Sequence, residues 1–141
     1  MAKNQVFADV ESRRFVAVVG NDVAPGVPLL LGGVPVATIT GSGDYDGNAV
    51  SITVGSTTTT LAGGRGGIGL KATEATVSPT GAYGWPVTGA TAANIVNGVT
   101  TVYITSAGAL TLTATNNTRF GTALFFRGEL SATDTVVKIG D

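Results

Sequence analysis

Between Val99 and Phe126 the hydrophobic and polar positions predict three consecutive β-strands. Thr100 to Thr105 is β-branched and aromatic, the composition of a pleated, half-buried surface. Ser106-Ala107-Gly108 is a turn, with glycine where a positive φ is wanted. Ala109 to Thr115 alternates strictly: Leu110, Leu112 and Ala114 fall on one face, and Thr111, Thr113 and Thr115 on the other. Asn116-Asn117 turns the chain again, and Arg119 to Arg127 returns as an aromatic strand.

The same reading extends outward. Arg14 to Val19 predicts a first strand, and Asn21 to Gly26 a turn cluster broken at Pro25-Gly26. Pro28 to Leu31 is a short apolar run. Val34 to Thr40 alternates, and Pro35 places it at an edge or a strand start because proline cannot donate to a ladder. Ala49 to Gly55 and Thr57 to Leu61 are strands on either side of a break at Gly55-Ser56. Lys71 to Ser78 is a further strand, Pro79 to Gly84 a turn, and Ala90 to Val96 is allowed one helical turn. Asn97-Gly98, between Ile95-Val96 and Val99, is the best two-residue hairpin signal in the chain. Thr135 to Ile139 closes the pattern as a last strand. The expected fold is all-β, a barrel or sandwich of about eight to ten strands with little or no helix.

Residues 1–13 are polar and weakly patterned, and read either as a frayed terminus or as an arm that orders on a partner. Residues 14–141 read as one β domain. The 141 residues are enough for a core without staples, and cysteine is absent. Histidine is absent too, which removes Ser-His-Asp and Cys-His catalysis and the usual zinc sites. Charged residues make up 12%, and the net charge of −1 gives no electrostatic case for nucleic acid. Hydrophobic residues make up 43% of the chain, and the mean hydropathy of +0.35 is high for a monomer's surface. No Asp, Glu, Lys or Arg occurs between Glu74 and Arg119, so this stretch either faces another subunit or carries a threonine-coated surface. No apolar run reaches the roughly 18 residues of a membrane-spanning helix, and the N-terminus has no signal-peptide core.

Motifs that could carry chemistry are weak. Gly64 to Gly69 spells G-x-G-x-x-G, but a strand rather than a helix follows, and no acid lies about 20 residues on. It reads as a turn, and no cofactor is expected. Asp44-Tyr45-Asp46-Gly47-Asn48 echoes part of a calcium loop without its terminal Glu, so an ordinary Asp-Gly turn is the better reading and no metal is expected. Asn116-Asn117-Thr118 fits a glycosylation sequon and reads as a turn. Tyr83 and Trp85 either plug a sheet end or, if exposed, anchor a partner or stack on a sugar. The chain is expected not to be an enzyme.

Two blocks carry a resemblance. Gly20 to Thr40, GNDVAPGVPLLLGGVPVATIT, is similar to the opening of the tailed-bacteriophage capsid decoration (cement, or head-fibre-like) proteins. Gly98, Val102, Tyr103, Gly108, Leu110, Thr111, Asn116, Gly121, Ala123 and Leu124 match that family's second block, and TVVKI resembles its closing strand. The Asp44 loop, the Gly64 loop and the Ala-rich segment at 88–94 depart from the pattern. The resemblance implies a structural virion protein, made in the host cytoplasm and placed on the outer surface of the expanded capsid. There it would stabilise capsomer junctions, with the major capsid protein and itself, as a homotrimer, for partners, and with neither nucleic acid nor membrane. The arm residues Ala2, Lys3, Asn4, Gln5, Val6 and Phe7 are the expected capsid-binding segment, through strand addition, with Tyr83 and Trp85 as further anchors. The alternative is a receptor- or glycan-binding module of a phage fibre or tail, using Tyr45, Tyr83 and Trp85.

Overall fold

The computed structural model describes residues 5–7, 14–45, 50–61, 70–128 and 132–140. Among them are twelve strands and no helix. The strands are β1 (Gln5–Phe7), β2 (Phe15–Val18), β3 (Pro28–Leu31), β4 (Val34–Thr38), β5 (Val50–Val54), β6 (Thr57–Leu61), β7 (Glu74–Ser78), β8 (Ala82–Thr88), β9 (Thr101–Ile104), β10 (Leu110–Thr111), β11 (Thr118–Phe126) and β12 (Asp134–Ile139). The fold is all-β and compact, as the pattern predicts, with more strands than expected.

Five strands close into a barrel in the order β8-β10-β9-β11-β12, with β12 pairing back onto β8. Every seam is antiparallel except β8 with β10, where Val87 lies opposite Leu110 and Thr88 opposite Thr111. A barrel this narrow bends its strands sharply, and β11 does so with two register shifts, one on either side of Gly121–Ala123. The interior holds Tyr83, Trp85, Val87, Val102, Ile104, Leu110, Phe120, Ala123, Val137 and Ile139. A four-stranded sheet in the order β2-β7-β4-β3 packs on this core through Ala37 and Ile39. β5 and β6 form a separate two-stranded ribbon joined by Gly55-Ser56.

Several expectations need correction. Pro79 to Gly84 is not all turn: β8 begins at Ala82 and runs through Gly84 and Pro86. The Val87 N–H bonds the Thr133 carbonyl at 3.0 Å, so by alternation position 86 points its backbone nitrogen away from β12. On that far side β1 pairs only with Ala82 and Tyr83, and β10 only from Val87 onward. Proline therefore removes no ladder bond. Ala109 to Thr115 is not one long strand, because only Leu110 and Thr111 pair. Beyond them, Thr111 Oγ1 accepts the Thr113 N–H and Asn117 Nδ2 donates to the Thr113 carbonyl, so side chains turn the chain off the barrel. Asn97-Gly98 makes a turn but no hairpin, because no strand precedes it. Instead the Gly98 N–H docks on the Ala123 carbonyl of β11 at 2.9 Å. The strand expected from Lys71 starts at Glu74, whose carboxylate accepts the Lys71 N–H and folds that turn back.

Other expectations hold. Gly108 turns β9 into β10 with φ of 85°. Pro35 lies one residue into β4, opposite Leu30, and β7 pairs β4 only from Ala37, so its missing N–H falls where β4 is locally an edge. The segment after Ala90 contains a single turn, closed by the Ile95 N–H on the Thr91 carbonyl. Residues 46–49 and 62–69, with most of the two loops expected there, lie outside the described residues.

Gly121 and Gly33 separate two reasons for glycine. A Cβ on Gly121 would fall on the Lys138 carbonyl of the neighbouring strand, whereas Gly33 has open space but a φ of +85°. Gly121→Ala should cost about 3 kcal/mol or more by overpacking against backbone. Gly33→Ala should cost about 1–2 kcal/mol of backbone strain. Urea denaturation of the two variants measures both, and equal losses would contradict this assignment.

Candidate functional site

Tyr83 and Trp85 alternate on β8 with Val87, and all three point into the barrel. Tyr83 is fully buried and Trp85 is 4% exposed, so neither ring offers a surface to a partner or a sugar; that expectation is corrected. The two rings stack at 5.0 Å, and Trp85 meets Phe120 edge-on at 5.5 Å. Both polar ends are satisfied. Trp85 Nε1 donates to the Gly26 carbonyl at 2.7 Å, tying the barrel to the Pro25-Gly26 turn, and the Tyr83 hydroxyl donates to the Thr80 carbonyl at 3.2 Å. Tyr45, the third ring of the glycan reading, is half-buried over Gly41, where a Cβ would sit 2.7 Å from its ring.

Asp44 is spent on local structure. Its Oδ1 accepts the Asp22 N–H at 2.8 Å and the Ser42 hydroxyl at 2.7 Å, while Ser42 Oγ accepts the Val23 N–H. Thr38 repeats the device, accepting from the Val27 N–H and donating to the Ala24 carbonyl. These side chains pin the Asn21–Gly26 turn to β4 and its following loop. Among the described residues no three potential metal ligands cluster. Asp134 is fully buried, and among the described residues neither carboxylate oxygen has a hydrogen-bond partner. Arg127 Nη1 and the Asp134 oxygens border the same space over Gly84, at 3.2, 3.6 and 3.7 Å from where a Cβ would stand. A single carboxylate facing a guanidinium is not a set for acid–base or glycoside chemistry.

The arm residues divide. Gln5 and Phe7 pair with Tyr83 and Ala82 of the same chain as β1, so their backbone extends the barrel sheet in cis. Ala2, Lys3 and Asn4 lie outside the described residues. The uncharged stretch between Glu74 and Arg119 supplies much of the barrel interior, including Trp85, Val102 and Leu110. On its exposed positions Val96 and Val99 stand among Thr, Asn and Ala.

What the surface does offer is apolar and sheet-like, a signal that exposure alone reveals and that the sequence pattern missed. On β2, Phe15, Val16 and Val18 are 45%, 55% and 68% exposed. On the ribbon, Ile52 and Val54 are 48% and 75% exposed. Thr59 and Thr57 stand opposite them in register and share their face. Two shallow recesses of about 280 and 300 Å³ meet at Gly108, one against Leu29 and Leu30, the other against Pro28, Trp85 and Pro86. Their linings carry no titratable group. Comparison with protein-family models, with curated proteins and with solved structures finds no match to this chain.

The placement of Trp85, the only tryptophan, is testable. Its emission should be blue-shifted and unchanged by added host polysaccharide, and a titratable change would restore the glycan reading. Trp85→Phe removes the Nε1–H bond to the Gly26 carbonyl and should lower the unfolding free energy by about 1–3 kcal/mol in urea denaturation.

Proposed function

We propose that this chain is a structural protein-binding subunit, a decoration protein of the outer surface of a tailed-phage capsid. The observation that carries this reading is the β5–β6 ribbon. A two-stranded ribbon alone is marginal in water, and this one turns Ile52 and Val54 to solvent. Such an element gains most by lying on another protein. The low charge, the resemblance at Gly20 to Thr40 and Gly98 to Leu124, and the tightly closed barrel all support the same reading.

The mechanism is mechanical. The barrel and its packed sheet form a stiff body. The ribbon lies on neighbouring major-capsid subunits. Binding only the expanded lattice stabilises that lattice by linkage. Repetition over the shell supplies avidity that a single contact lacks. Self-association is part of this reading, as the resemblance implies.

Quantitative mass spectrometry of purified virions from the source should find this chain near parity with the major capsid protein. A few copies per particle would favour a fibre or tail module, and absence would remove the capsid reading. Ile52→Asp with Val54→Asp should lower occupancy on expanded heads by about tenfold or more, while the unfolding midpoint stays within about 0.5 kcal/mol of the parent. Undiminished occupancy would take the ribbon out of the interface.

A further inference from the structure

We infer that β2 is a self-pairing edge, and that two copies of this chain join their β2 strands antiparallel about a two-fold axis at Val16. β2 pairs with β7 on one side, and no described strand lies on the other. The Val19 N–H bonds the Thr73 carbonyl, on the β7 side. Backbone groups alternate along a strand, so positions 14, 16 and 18 present their N–H and C=O groups to the open side. Edge strands are normally blunted by proline, lysine or an inward charge. The β2 sequence Phe-Val-Ala-Val has none of these.

The occupant follows from register and charge. Pairing Val16 with Val16 of a second copy sets Arg14 opposite Val18 and Phe15 opposite Ala17. All three outward positions then meet outward positions, which gives a full antiparallel ladder. Val18 is itself in register with Glu74 on β7. Arg14 of one copy, Val18 of the other and Glu74 of that other copy thus form one row on the same face, two strand spacings or roughly 10 Å across. The Glu74 carboxylate accepts the Lys71 N–H at 3.1 Å, so the long Arg14 side chain spans most of that distance to reach it. The symmetry makes two such rows, and Val16 and Val18 of both copies are covered between them. Centring the pair on Ala17 instead moves Arg14 past Val18 to position 20 and loses the charge match. The contact is two-fold, unlike the three-fold arrangement the resemblance implies, and it needs no capsid.

The test is sedimentation velocity on the purified full chain. The expected result is a concentration-dependent dimer. Val16→Pro removes an outward N–H without touching the β7 ladder and should give a folded monomer. Arg14→Glu should weaken association about tenfold or more, and adding Glu74→Lys should restore it. Circular dichroism and the unfolding midpoint confirm that each variant folds. A monomeric parent chain, a trimer indifferent to Val16→Pro, or a charge swap that fails to rescue a folded Arg14→Glu chain would each overturn the inference. Because the capsid is absent from this measurement, the capsid reading can fail or stand separately.

Discussion

Closure of the barrel rests on β8. It is the strand that joins β12 on one side to β10 on the other, and it supplies Tyr83 and Trp85, the two stacked rings of the lumen. A five-stranded barrel has room for few large residues, so the stacked Tyr83 and Trp85 with Phe120 across from them largely decide the interior. The Trp85 Nε1–H then reaches out of the barrel to Gly26. That bond and the packing of Ala37 and Ile39 make the four-stranded sheet and the barrel one body. Losing the indole would loosen both the lumen and the seam between the layers.

Most of the sheet was legible where alternation and β-branching coincide. β3 matches the predicted run at both ends, and β9, β11 and β12 fall within a residue or so of their predicted bounds. β8 was not legible, although the fold depends on it most. Pro79 to Gly84 reads as a turn in sequence and Trp85 to Val87 as no element, and only the tertiary pairing shows why Gly84 and Pro86 are tolerated in a strand. Proline sits where the strand has no partner on its nitrogen side, and a side chain at 84 would meet Arg127. The false hairpin at Asn97-Gly98 has the mirror cause. Its local turn chemistry is right, since Gly98 has φ of 70°, but Ile95 and Val96 find no strand partner.

The candidate site was less legible than the fold. Aromatic residues near prolines are ambiguous between core and surface, and here burial settled it. Asp44 is similar, because a carboxylate in an Asp-Gly loop reads equally as a ligand or as a turn clip. Its bonds to Asp22 and Ser42 make it a clip. The exposed face of β2 could not be read at all from period-2 alternation. Phe-Val-Ala-Val is apolar at every position, so the pattern gives no buried side, and only the strand's place at a sheet edge exposes it.

The edges of the molecule are treated unequally, and that inequality is the physical content of the functional argument. β3, the opposite edge of the same sheet, begins with Pro28, keeps its residues half-buried, and is flanked by the Thr105–Gly108 turn. The ribbon sets threonine against Ile52 and Val54, and bonds Thr53 to Thr58 on its other face, so its surface stays partly hydrated. Among the described strands β2 alone combines an open ladder side with three exposed large apolar residues and none of proline, lysine or an inward charge. A protein with net charge near zero has little electrostatic repulsion to keep such edges apart. An edge left in that state is stable against indiscriminate pairing only if a specific partner occupies it, so the sequence of β2 is better explained by what it joins than by the sheet it ends.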